Sequence, residues 1–273
     1  MINKVAAVII MGVGLFSCAE QVETEQKQTK QEINFQNDAH KLVYEMTQKT
    51  GTYEDLLKLK DVSYNYSYIT ADGKEDITNE KYLFAGEMSY GKYIKHERTL
   101  PEMKGTIEQG FDGKEFWFKN NGNYSNDPEI MKRVIFNRKT NFYWFTMMQK
   151  LTDPGLNYEL IREENVENTK YSVVKVTFKN QSKPTDIYIV YINQETKLVD
   201  QFLFTVADFG KTETPFLMKV KYEEIDGILV PSQRKYTAAT WEGKNLSEDW
   251  ITVKWNDIQF NKGLNSTFFK KAS

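Results

Sequence analysis

Few residues in this chain are of a type that does chemistry, and their spacing keeps them apart. There are two histidines, His40 and His96. Neither stands three or four residues from another metal ligand, so neither starts a helical metal site, and each reads as a helix-surface or strand residue. The acidic doublets Glu163-Glu164, Glu223-Glu224 and Glu248-Asp249 fall in stretches of strand character, where adjacent side chains point to opposite faces and cannot share a proton. A carboxylate pair assembled from distant strands, of the kind glycosidases use, is left open. No Gly-x-Ser-x-Gly elbow, phosphate loop or dinucleotide fingerprint occurs. The expectation is a protein without catalysis and without a resident cofactor or metal. Two features remain that can act chemically or bind: one cysteine, Cys18, and the segment "NFYWFTMM" at residues 141 to 148.

A single cysteine excludes an internal disulfide and a thiolate metal cluster. Its setting is informative. In "MINKVAAVIIMGVGLFSC" a basic Lys4 precedes an uncharged apolar run from Val5 to Phe16, then Ser17 and Cys18. As a helix that run rises about 18 Å, short of a hydrocarbon core of about 30 Å, so it reads as the apolar region of a signal peptide. "LFSC" also resembles the lipobox of bacterial lipoproteins, with Phe16 bulkier than the usual occupant of its position. The resemblance implies that residues 1–17 are removed and that Cys18 becomes the acylated first residue. At about 0.8 kcal/mol per buried methylene, several acyl chains hold a protein on a membrane essentially permanently. Ala19 stands where an aspartate often signals inner-membrane retention in lipoproteins, so the expected location is the outer membrane. Whether the protein faces the periplasm or the cell surface is left open.

The segment "NFYWFTMM" poses a packing problem. Helical residues lie about 100° apart, so four consecutive aromatics, Phe142, Tyr143, Trp144 and Phe145, point around most of a helix, and one buried face cannot hold them all. In one reading the helix is core, with Ile130, Val134, Phe142, Phe145 and Met148 packed on a sheet. In the other it is a lid, with Tyr143, Trp144 and Met147 turned towards a ligand cavity or a membrane, where aromatics and adaptable thioethers suit apolar ligands. The candidate ligand-binding set is therefore Phe142, Tyr143, Trp144, Phe145, Met147 and Met148, joined by Tyr64 and Tyr66 from a nearby strand pattern.

The elements that must position these residues follow from patterning. The 273 residues are 40% hydrophobic and 27% charged, enough for one sizeable core. With 36 basic and 38 acidic residues and no basic block, nucleic acid is not an expected partner. After Cys18, the polar stretch "AEQVETEQKQTKQE" cannot repay the entropy of ordering and reads as a tether over residues 18–34, spanning on the order of 20 Å. "NDAHKLVYEMTQKTG" carries one apolar helical face with Asn37 or Asp38 as cap, and Thr52 and Asp55 mark a short capped helix. The period then changes to two. In "DVSYNYSYI", Val62, Tyr64, Tyr66 and Tyr68 alternate with polar residues, and similar runs recur through "DWITVKWNDI". The expected fold is mostly β (α+β): a curved, half-open antiparallel barrel of about 11 strands over residues 35–273. A helical insertion at about 128–151 and the N-terminal helix plug or lid its concave face.

That order of elements resembles the outer-membrane lipoprotein carrier and receptor superfamily (LolA and LolB), with a helical pair in mid-chain. The phrases "QGFDGKEFWFKNNG", "YIVYINQETKLVDQFLF" and "YEEIDGILVPSQRKY" are similar to its hairpins, over about residues 35 to 270. The resemblance implies an apolar cavity suited to acyl chains and assigns no residue a role. The leading expectation is a membrane-anchored lipoprotein that binds an apolar small molecule or a lipoprotein acyl chain. The alternatives are an interaction module with a filled core, or an envelope hydrolase. Ligand identity and oligomeric state are left open.

Overall fold

The computed structural model describes residues 33–179 and 181–272; the expected signal peptide, Cys18 and the tether up to residue 32 lie outside them. From Phe35 the chain forms one compact unit. Helix α1 (Asp38–Thr50) starts at Asn37, whose side chain accepts from the His40 N–H, and α2 (Tyr53–Leu59) starts at a capping box in which Thr52 and Asp55 satisfy each other's backbone N–H groups. Strands β1 (Asp61–Ile69), β2 (Glu75–Leu83), β3 (Met88–His96), β4 (Ile107–Phe111), β5 (Phe116–Asn120) and β6 (Asn123–Ser125) follow. Then comes α3 (Pro128–Lys150), capped by Asp127. Seven further strands run from β7 (Leu156–Val166), β8 (Thr169–Phe178), β9 (Tyr188–Asn193) and β10 (Val199–Val206) to β11 (Lys211–Ile225), β12 (Ile228–Ala238) and β13 (Ile251–Phe260), before a last turn of helix, α4 (Ser266–Phe269).

All strands join one antiparallel sheet in the order β6-β5-β4-β3-β2-β1-β13-β12-β11-β10-β9-β8-β7. The first and last strands in that order do not pair, so the barrel is open, as the sequence indicated. The sheet has 13 strands rather than about 11. The twelve runs of strand character in the sequence are all present as strands, and the thirteenth is β6, whose three residues are too few to show alternation. The mid-chain insertion is one continuous helix of 23 residues instead of a helical pair. Nothing in "PEIMKRVIFNRKTNFYWFTMMQK" breaks it, since its only proline stands at the first helical position, where no N–H is needed.

The sheet bends around α3. Val134 near its N-terminus packs with Tyr93, Ile107 and Phe118 of β3, β4 and β5. Phe142 and Phe145 pack with Tyr64, Tyr82, Val253 and Trp255 of the central strands. Met147, Met148 and the following Leu151 pack with α1 and with β7 to β11. This answers the packing problem of "NFYWFTMM": a helix wrapped by a concave sheet has several buried faces, so consecutive aromatics can all find cover. The convex face carries apolar residues as well. Tyr171, Val173, Tyr191, Leu203 and Leu217 form a second apolar cluster there, with Ala239 and Trp241 from the segment after β12.

A buried ion pair fixes α3 to the sheet. Arg138 is fully buried and forks onto Glu80 of β2, Nη1 to Oε2 at 2.7 Å and Nη2 to Oε1 at 2.9 Å. Asn141 and Tyr82 donate to the same carboxylate at 3.2 and 2.9 Å. Gly91 of β3 makes room for the guanidinium, because a Cβ there would stand 2.6 Å from Nη2.

Candidate functional site: an aromatic cavity beneath the long helix

Between the middle of α3 and the concave face of the sheet lies a cavity of about 780 Å³, within the range of small-molecule sites. Its inner wall is built from alternate residues of adjacent strands, which the period-2 geometry turns to one face. Tyr66 and Tyr68 come from β1, Val253 from β13, Arg234 and Tyr236 from β12, Phe216 and Met218 from β11, and Phe204 from β10. The helix supplies Phe136, Phe142, Tyr143 and Trp144 on the other side. Near its opening lie charged residues that include exposed Lys139, Asp208 and Lys211 and half-buried Arg133. Phe209, half exposed in the 3-10 turn Ala207–Phe209, meets Phe136 edge-on at 4.5 Å.

The rings of this wall are linked. Trp144 stacks on Phe202 at 5.8 Å and meets Phe204 edge-on at 5.0 Å, and Phe204 meets Tyr236 at 5.6 Å. Tyr143 lies 6.0 Å from Tyr188. The Tyr68 and Tyr236 hydroxyls hydrogen-bond to each other. Burial raises the pKa of Tyr66, Tyr143, Tyr188 and Tyr236, so these phenols are neutral at physiological pH. Burial also raises that of Asp186, which lines the cavity and accepts from the Ala207 N–H at 2.6 Å. Arg234 is a buried cation of the sheet wall: 6% exposed, with its guanidinium 3.9 Å above the Trp255 ring and 5.6 Å from that of Trp144. Desolvation by burial lowers its pKa to about 10, which leaves it charged at neutral pH.

The sequence-derived candidates divide. Phe142, Tyr143, Trp144 and Tyr66 line the cavity. Phe145, Met147, Met148 and Tyr64 do not: they are core residues at 1–3% exposure, because they leave α3 and β1 towards the packed clusters. Tyr64 spends its hydroxyl on Tyr82 at 2.8 Å. The histidines are apart from the cavity, His40 stacked on Tyr158 at 4.4 Å and His96 at 2.8 Å from the Gly105 carbonyl. Among the described residues, no group of three or more His, Cys, Asp or Glu side chains is arranged to hold a metal ion, and no helix is long and apolar enough to cross a membrane. Sequence reasoning missed Arg234. Alternation in "VPSQRKY" puts Val230, Ser232, Arg234 and Tyr236 on one face, and that signal was sufficient to place an arginine on the apolar side.

No family model matches the sequence, and no curated protein matches it. Solved structures similar to the chain include a DUF1329 family protein from Desulfovibrio piger, 14% identical over 85% of this chain and 96% of that one, with a TM-score of 0.50. A LolA superfamily protein from Nitrosomonas europaea is 13% identical over 81% and 98%, with a TM-score of 0.46. An outer membrane lipoprotein-sorting protein domain from Vibrio parahaemolyticus is 10% identical over 84% and 94%, with a TM-score of 0.49. At such identities the likeness is one of fold alone. The chain shares with the DUF1329 family protein from Desulfovibrio piger the fold of an open antiparallel sheet bent around a long helix.

Proposed function

We propose that this protein is a non-catalytic lipoprotein of the cell envelope, anchored through acylated Cys18, that holds an apolar ligand such as an acyl chain between α3 and the sheet. The observation that carries the reading is the cavity itself: about 780 Å³, walled largely by aromatic and aliphatic side chains from eight strands and one helix. An interaction module with a filled core has no use for that space. Space bounded by rings on both sides disperses well against a hydrocarbon tail, and a helix resting on a sheet can yield to admit one.

The test uses protein lacking residues 1–18 and the neutral fluorophore N-phenyl-1-naphthylamine. Saturable fluorescence enhancement is expected, and Val206→Trp, which places a large ring in the cavity wall, should reduce it. Absence of saturable binding, together with no lipid retained in native mass spectrometry, refutes the reading. Anchoring is tested separately. In the full-length precursor, Cys18→Ala should abolish acylation and detergent partitioning, and unchanged partitioning with unchanged mass refutes it.

A further inference from the structure

Four arginines line the cavity: Arg138 and Arg98 are matched, and Arg133 is half-buried with its guanidinium 5.6 Å from the Phe209 ring. Arg138 is held by Glu80, whose attraction outweighs the cost of burial and keeps the guanidinium above its ordinary pKa. Arg98 reaches Asp76 at 3.2 Å, and that carboxylate also accepts from the Thr99 hydroxyl at 2.7 Å. Arg234 differs. No carboxylate lies within ion-pair distance of it among the described residues; its Nε, like those of Arg98 and Arg138, has no hydrogen-bond partner. The ionisable groups that act on it most strongly are the phenols of Tyr66, Tyr64, Tyr82 and Tyr236, none of which supplies a charge at neutral pH.

A buried cation without a counter-ion is costly, and aromatic faces offset only part of that cost. The Trp255 and Trp144 rings take up the face of the guanidinium and leave its in-plane donors, which suit a carboxylate or phosphate, unspent. The residue lines the cavity, so those donors belong to the site's wall. Lys139 and Lys211, by contrast, are exposed and solvated. Asp186, half-buried in the same wall, would repel an anion and so makes the wall electrically asymmetric.

We propose that the ligand is a long-chain amphiphile with an anionic head, a carboxylate or a phosphate, which seats on the Arg234 guanidinium while its tail lies against Trp144, Phe204 and Phe216. This rests on the reading of the cavity as an apolar-ligand site. Binding supplies the missing counter-ion, so the head group is paired where water is scarce and the bond is charge-assisted.

The experiment displaces bound N-phenyl-1-naphthylamine with palmitate, hexadecyl phosphate and 1-hexadecanol below their aggregation limits, in wild type and in Arg234→Met, Arg234→Gln and Arg234→Lys, each checked for folding by circular dichroism. Wild type is expected to prefer one or both anions over the alcohol by about 10- to 100-fold, the range for a hydrogen bond to a charged group. The stronger of the two anions identifies the head group. The preference should fall to about one in the folded neutral variants and be partly kept by lysine. Wild type that binds the fluorophore and all three amphiphiles equally overturns the inference and leaves the cavity reading intact. Binding of neither fluorophore nor amphiphile overturns the cavity reading and the inference with it. If the neutral variants do not fold, the wild-type preference alone decides between these outcomes.

Discussion

Replacing Arg138 with methionine keeps much of its volume and removes its charge, leaving Glu80 fully buried with only Tyr82 and Asn141 as donors. An uncompensated buried charge of this kind costs about 3–5 kcal/mol. For a unit of this size, with about 2–4 °C of Tm per kcal/mol, the loss corresponds to roughly 6–20 °C. Removing both charges in Arg138→Met/Glu80→Gln should recover most of that stability, because the pair's attraction does little more than balance the desolvation of its two ions. Gly91→Ala provides a steric check. Its Cβ would meet three guanidinium atoms at 2.6 to 2.8 Å, so it should destabilise wild type but cost little in an Arg138→Ala background. Urea unfolding followed by tryptophan fluorescence measures each variant. If Arg138→Met costs less than about 1 kcal/mol, or the double variant is as unstable as the sum of the singles, the ion pair is not what seats the helix.

Three further outcomes are expected. Phe145→Ala should cost about 3–5 kcal/mol, because it empties a packed site at 3% exposure. Trp144→Ala should cost about 1–2 kcal/mol, its ring being half-buried against the cavity, while weakening N-phenyl-1-naphthylamine binding; equal destabilisation with unaltered binding refutes the division of α3 into core and cavity faces. Asp186 gives a pH signature. Burial raises its folded pKa above the unfolded value, so its contribution to stability is fully present below the unfolded pKa and is lost as pH rises through the folded one. Asp186→Asn should therefore be more stable than wild type at neutral pH, with an advantage that shrinks on acidification. A difference in urea midpoint that does not change with pH refutes it.

The parts of the fold that were legible in sequence are those specified locally. The Thr52–Asp55 box, the Asn37 cap, the Asp226-Gly227 turn with both residues at positive φ, and the alternation of β1 each need only neighbours in the chain. The segment "NFYWFTMM" was legible as a problem and not as a solution. Its resolution depends on how far the sheet curls, which is set by thirteen strands together and by no one of them.

The inward face of β2 was harder still, since Asp76, Thr78 and Glu80 precede Tyr82 on it and look like a solvated edge until Arg98 and Arg138 arrive from elsewhere in the chain. Arg234 makes the same point in reverse. Its position on the apolar face could be read by parity, yet a buried arginine ordinarily implies a carboxylate partner, and the chain has 38 acidic residues from which to supply one. That none of the described carboxylates pairs with it emerges only when the partners of Arg138 and Arg98 are known, for Glu80 and Asp76 are already taken. An unmet charge in a cavity wall is thus a property of the whole assembly of strands, and sequence periodicity can locate the residue without revealing that its counter-ion is missing.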